Sequence, residues 1–117
     1  FLLPLSGIDF FVFTNLIENA IEAIREKPKL KNEYLSIKTS KNNTDVLIEI
    51  KDSGIGMTAE TKERLYEKFY TTKSPDKGTG LGMSISKRII EEHNGTIEVE
   101  SEFGKGTKFT ICLPIEQ

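Results

Sequence analysis

The stretch Asp45-Val46-Leu47-Ile48-Glu49-Ile50-Lys51-Asp52-Ser53-Gly54-Ile55-Gly56 decides the fold. Val46, Ile48 and Ile50 recur at every second position, which is the period of a strand with one buried face. Asp52 continues their parity, so its carboxylate is expected on the buried side, where it needs donors. Gly54 and Gly56 then let the backbone turn and come close to a ligand. Just upstream, residues 34–40 read as a second strand with Leu35 and Ile37 on its inner face. The turn-prone Lys41-Asn42-Asn43-Thr44 between them predicts an antiparallel hairpin.

Outward from this hairpin, residues 8–26 show apolar Phe13, Leu16, Ile17, Ala20, Ile21 and Ile24 at helical spacing. Ser6, with Asp9 three residues on, is a candidate cap, and Pro28 stops the helix. Thr58 is expected to cap a short helix to about residue 68. Residues 69–79, with Pro75 and Gly78, are irregular. A helix over about 81–93 ends at Asn94-Gly95. Residues 96–101 and 107–113 form a second hairpin across Glu102-Phe103-Gly104-Lys105-Gly106, and Leu2-Leu3 allows a short first strand. Strand pairs with about three helices on one face predict a two-layer α/β sandwich with a mixed, mostly antiparallel sheet.

A chain of 117 residues supports a single domain, expected over 1–117. Lys and Arg number 16 against 18 Asp and Glu, a net charge of −2, which speaks against nucleic acid as a partner. The 37% hydrophobic and 29% charged content is that of a globular domain rather than a disordered one. No apolar run approaches the roughly 20 residues of a membrane span, and no charged leader opens the chain. Cys112 is the sole cysteine, so no internal disulfide forms, and a reducing compartment is expected. His93 is the sole histidine, which excludes sites built on two histidines. The opening Phe1-Leu2-Leu3 lacks a Met and is read as the start of a fragment.

Polar residues interrupt the apolar elements at particular places. Asn15 and Asn19 are one turn apart on a single helix face, and Ala23 follows a turn later. They are either a solvated pair or two carbonyl oxygens facing a ligand or a hydrated Mg²⁺. Asp52 either caps a turn or accepts from an exocyclic amino group such as that of adenine. Thr107 shares the parity of Phe109, Ile111 and Leu113. It is an ordinary strand residue or a hydroxyl turned to the same pocket. Gly78-Thr79-Gly80-Leu81-Gly82 opens a helix, whose free N–H groups suit phosphate, with Lys73 and Lys77 upstream. No Gly-Lys-Ser/Thr follows and no strand precedes, so it is neither a Walker A nor a Rossmann loop. His93 is expected to be a helix-end residue, and Cys112 to lie on the outer sheet face. Phe10, Phe11 and Phe13 either fill the core or form a face for a helical partner.

In order, these boxes are Asn-Leu-x-x-Asn-Ala at 15–20, Asp-x-Gly-x-Gly at 52–56, Phe-Tyr-Thr-Thr-Lys at 69–73, Gly-Thr-Gly-Leu-Gly at 78–82, and Gly-x-Gly-Thr-x-Phe at 104–109. The series closely resembles the ATP-binding catalytic domain of bacterial sensor histidine kinases, from about Ser6 to Pro114. The same fold serves a wider superfamily of gyrase, mismatch-repair and heat-shock chaperone ATPases. The resemblance implies that Asn19 is the Mg²⁺ ligand, Asn15 its phosphate-side neighbour, and Asp52 the reader of the adenine amino group. Gly54 and Gly56 would shape the pocket, with Ala23 beside it. Residues 69–79 would form an ATP lid with Lys73 near the phosphates. Gly78, Gly80, Leu81 and Gly82 would make the phosphate loop, and Thr107 would lie beneath the adenine. Asn15, Asn19 and Lys73 would carry the transfer of the γ-phosphoryl group to a histidine.

That histidine would belong to a separate helical dimerisation domain, with a response-regulator receiver domain as the later acceptor. The isolated domain is expected to be monomeric and unable to phosphorylate a histidine by itself. The Asn-Ala-Ile-Glu-Ala run looks most like the nitrogen-regulation or sporulation kinases. Two departures stand out: Phe11 occupies a position that is often His or Gln, and Asn15 stands where hydrolytic relatives carry a Glu base. The rival readings are a serine kinase of the anti-sigma-factor type and an ATP-sensing or ATP-hydrolysing module on this fold.

Overall fold

The computed structural model describes residues 7–72 and 80–115, with the side chains of 7–9 left aside. Seven elements follow in order: α1 (Gly7–Arg25), β1 (Leu35–Lys41), β2 (Asp45–Asp52), α2 (Ala59–Arg64), α3 (Gly82–Glu92), β3 (Thr96–Glu102) and β4 (Gly106–Pro114). The expected Ser6 cap and Leu2-Leu3 strand, with Lys73, Lys77, Gly78 and most of the expected lid, lie outside the described residues.

The four strands pair in the order β1-β2-β4-β3, every described pairing antiparallel. The central pair matches apolar residues across the ladder: Ile48 faces Ile111 and Ile50 faces Phe109. Asp52 faces Thr107 at the end of the same ladder. Val46, Ile48, Ile50, Phe109 and Ile111 are buried beneath Val12 and Leu16 of α1 and Met83, Ile89 and Ile90 of α3. Both long helices therefore cover one face, and the expected two-layer sandwich is the fold. Cys112 is half-buried on the other parity of β4. There burial first, and then the carboxylates of Asp45 and Glu98, push its thiol pKa up.

The buried line of α1 differs from the expected stripe. It runs through Val12, Leu16 and Ala20, while Ile21 is exposed. α1 is gripped from two sides, by β2 and by α3. Its covered arc is therefore rotated toward Asn15 and Asn19, and the isoleucines fall on the flank. Phe13 packs at the core's edge, but Phe10 and Phe11 are 74% and 41% exposed, so these two do not fill the core. Ile37 has inner-face parity yet stays exposed, because β1 is the sheet edge.

The helix ends follow local chemistry. Thr58 caps α2 by accepting from Thr61 N. α2 stops at Arg64, short of the expected residue 68. Phe69 beyond it takes a left-handed φ of 67° and gives its N–H to Gly80 O at 2.7 Å, away from any helical ladder. At the end of α3, Asn94 takes the left-handed φ of 61°. Gly95 instead supplies closeness, since a methyl there would sit 2.6 Å from Cys112 O. His93 places Nδ1 2.8 Å from Ile89 O, as a helix-end residue.

Candidate functional site

A cleft of about 730 Å³ opens between α1, the loop after β2, α2 and the start of α3. Asn15, Asn19, Ala23, Asp52, Gly56, Gly80, Leu81, Gly82 and Thr107 all line it. The fold thus brings together residues that the sequence scatters over four elements and two connecting segments. Lys73 and Gly78 lie outside the described residues, so their expected places are untouched by this geometry.

Asp52 is 5% exposed and sits at the last position of β2. Its Oδ1 accepts from Gly54 N at 2.8 Å. Burial raises the carboxyl pKa, while hydrogen bonds from the backbone of Gly54 and Thr107 pull it back down. This is a buried acceptor at the mouth of a cavity, suited to a donor on a flat ligand.

The glycines after it are set by approach distance. A methyl on Gly54 would lie 2.6 Å from Ala23 Cβ and 2.8 Å from Asp52 Oδ1. Ile55 N donates to Ala23 O at 2.8 Å, so the small residue at 23 admits the loop's own backbone as well as lining the cleft. Gly56 has φ of 73°, and its missing side chain would strike Glu102 O. A clamp outside the cleft holds the same loop: Lys27 Nζ lies 2.9 Å from Glu33 Oε1 and 2.9 Å from Ser53 O. Ser53 Oγ donates to Glu33 Oε1 at 2.9 Å.

The two asparagines point their amide nitrogens at α3. Asn15 Nδ2 lies 3.2 Å from Ser86 Oγ and 3.5 Å from Met83 Sδ, and Asn19 Nδ2 lies 3.4 Å from the same sulfur. Asn15 Oδ1 is turned to the cleft-lining Gly82 at the start of α3. A methyl on Gly82 would run into Asn15 Oδ1, which explains a glycine there. Among the described residues, no group of three or more His, Cys, Asp or Glu could hold a metal ion. Asparagine oxygens without a carboxylate cage suit a Mg²⁺ that draws its other ligands from phosphate and water, so the residues fit that ion. Gly80, Leu81 and Gly82 line the cleft at the N-terminal end of α3, the end of a helix that favours phosphate.

Thr107 is buried, and its hydroxyl already has a protein partner: Ser101 Oγ at 2.8 Å. Ser101 also accepts from Met57 N and donates to Gly106 O. Sequence reasoning missed Ser101, although it shares the inner parity of Ile97 and Val99. It also missed Met57, Leu65, Met83 and Phe103, which complete the cleft wall. Only chain reversals place these near Asp52, so their local sequence carries no sign of it.

A family model described as Histidine kinase-, DNA gyrase B-, and HSP90-like ATPase matches residues 10–117. The chain is 52% identical over 106 residues to sporulation kinase E of Bacillus subtilis (strain 168), covering 91% of this chain and 14% of that protein. It is 42% identical over 105 residues to sporulation kinase C of the same organism, covering 90% of this chain and 23% of that protein. The chain therefore spans less than a quarter of the length of these relatives. Among solved structures, the catalytic domain of histidine kinase ThkA superposes with a TM-score of 0.74 at 35% identity, over 92% of this chain and 67% of that one. No described helix is long and apolar enough to cross a membrane. With the cleft and its residues in the order expected from the motifs, the chain belongs to the histidine kinase-type ATPase family of the sensor kinases.

Proposed function

We propose that this chain is the catalytic domain of a sensor histidine kinase, which binds Mg-ATP and presents the γ-phosphoryl group to a histidine on a separate helical dimerisation domain. The observation that carries this reading is one cleft that joins the buried Asp52 carboxylate, the Asn15 and Asn19 amides and the Gly80–Gly82 turn. Asp52 accepts from the adenine amino group, and Thr107, held by Ser101, lies under the ring. Gly54 and Gly56 let the loop close on the base, beside Ala23. Asn19 Oδ1 would hold Mg²⁺, with Asn15 beside the phosphates. Bound Mg²⁺ supplies charge neutralisation on the phosphate oxygens.

The backbone of Gly80, Leu81 and Gly82 would cradle those phosphates. Gly78 and Lys73, assigned from the motif alone, would complete the loop and add positive charge. Asn15 stands where a hydrolytic base would be, so the site favours transfer to an outside acceptor over attack by water. Positioning and charge neutralisation then supply the catalysis. Residues 1–117 act as one domain, with 69–79 as its lid, in a cytoplasmic part of a longer kinase. A receiver-domain aspartate is the later acceptor.

The test has two arms. Calorimetry on the chain alone should give micromolar-class binding of Mg-ATP; no heat with any adenine nucleotide ends the reading. Incubation with ATP should then yield acid-labile phosphoprotein only when the helical domain is added. Acid-stable phosphoserine points instead to an anti-sigma-type kinase, and ATP loss without phosphoprotein to a hydrolysing module.

A further inference from the structure

Met83 follows the glycine-rich turn on α3 and belongs to none of the motif boxes. It is buried and forms part of the cleft wall. Its single sulfur receives Nδ2 of Asn15 at 3.5 Å and Nδ2 of Asn19 at 3.4 Å, two carboxamides one helical turn apart. Asn15 directs its amide to Ser86 Oγ as well, and Ser86 is fully buried. A thioether has lone pairs and no proton, so it accepts and never donates. Only the NH₂ side of a carboxamide can face it. The flipped amide would set Oδ1 against the sulfur, acceptor against acceptor.

We propose that Met83 is a positioning residue for the metal: by accepting from both amides, it holds Oδ1 of Asn15 and Asn19 on the cleft side, where they would meet a hydrated Mg²⁺ and its phosphates. This rests on the nucleotide reading above and extends it to a residue of the cleft wall whose soft sulfur is not itself a ligand for Mg²⁺. An aliphatic side chain of equal size fills the same space but leaves the two amide orientations without that bias. Packing and orientation are therefore separable by substitution, since Met to Leu conserves volume.

The experiment titrates a non-hydrolysable ATP analogue by calorimetry, in EDTA and at stepped Mg²⁺, for wild type, Met83→Leu and Met83→Gln. Met83→Leu should raise the Mg²⁺ concentration giving half-maximal enhancement by about 2- to 3-fold, the low end for a hydrogen bond, because a thioether is a weak acceptor. The melting temperature of Met83→Leu should match wild type, and its loss of affinity should be larger with Mg²⁺ than in EDTA. Met83→Gln, which restores an acceptor oxygen at similar reach, should return the midpoint toward wild type. An unchanged midpoint in Met83→Leu overturns the proposal, as does an equal loss with and without Mg²⁺.

A wild type that binds the analogue while Met83→Leu is indistinguishable from it removes only the role of Met83. A wild type that binds nothing removes the nucleotide reading, and this inference with it. One readout needs no variant. In the Mg²⁺-free wild type, side-chain amide protons of Asn15 and Asn19 should exchange with solvent more slowly than those of exposed Asn43; equal rates overturn the proposal.

Discussion

Asp52 combines two demands that pull in opposite directions. It is buried, which raises its carboxyl pKa, yet the proposed role, accepting from a ligand, is served best by the ionised form, which is acceptor-only. For an acid with a raised folded-state pKa, ionisation opposes folding above the unfolded pKa, and the penalty disappears as pH falls below the folded value. Asp52→Asn should therefore leave the ligand-free melting temperature unchanged or higher at neutral pH. The same change should weaken adenine-nucleotide binding at least tenfold, about 1.4 kcal/mol. A sharp fall in melting temperature with affinity intact would make Asp52 structural. Tyr66 is the contrasting case. Its hydroxyl is buried without a partner among the described residues, and burial pushes its pKa up to about 12. Removing an orphaned buried hydroxyl relieves its desolvation, so Tyr66→Phe should stabilise the fold by about 1 kcal/mol in chemical denaturation. A loss of stability would show that the hydroxyl has a partner in solution.

Among the elements, the loop after β2 depends most on its surroundings. Lys31 N, Lys27 and Ser53 all donate to Glu33, which holds its carboxyl at about 2 instead of 4.5. A depressed acid stabilises the fold above its unfolded pKa, and that contribution is lost as pH falls through the folded value. Glu33→Gln should thus lower the melting temperature at pH 7. Its deficit against wild type should shrink between about pH 4.5 and pH 2, as thermal scans across that range will read. A constant deficit would exclude the ionised clamp as the cause. At this scale the sequence was mostly legible. The β2 bounds and the Thr58 cap match the expectations, because period-two burial and capping are local chemistry. The α1 stripe was not, because the buried arc depends on where α3 lies. Nor was the short α2, since Phe69 bonds to Gly80, a partner 11 positions further along the chain.

The molecule as a whole couples folding to the cleft. Ile50 is 1% exposed in the central strand, two residues from Asp52 and opposite Phe109. Ile50→Ala should cost about 2–5 kcal/mol, a large share of a small domain's stability. Ligand that binds only the folded state restores stability by mass action, about 2.7 kcal/mol at a hundredfold excess over Kd. Mg-ATP should therefore raise the melting temperature of the wild type and of Ile50→Ala, and that of Asp52→Asn by about half as much or less. Scanning calorimetry of the three proteins checks this, and equal gains in all three would place the nucleotide elsewhere.

The sequence by itself determined the elements, the inner parity of Asp52 and Thr107, and the shared face of Asn15 and Asn19. Periods of two and 3.6 are properties of the local backbone, so they can be read from neighbours in the chain. Only the tertiary structure decided what those residues meet. The strand order β1-β2-β4-β3 sets Thr107 across from Asp52 and gives its hydroxyl to Ser101. The packing of α3 on α1 places one sulfur between two asparagines. Such contacts arise from how the two layers close on each other, and no short stretch of sequence contains both partners.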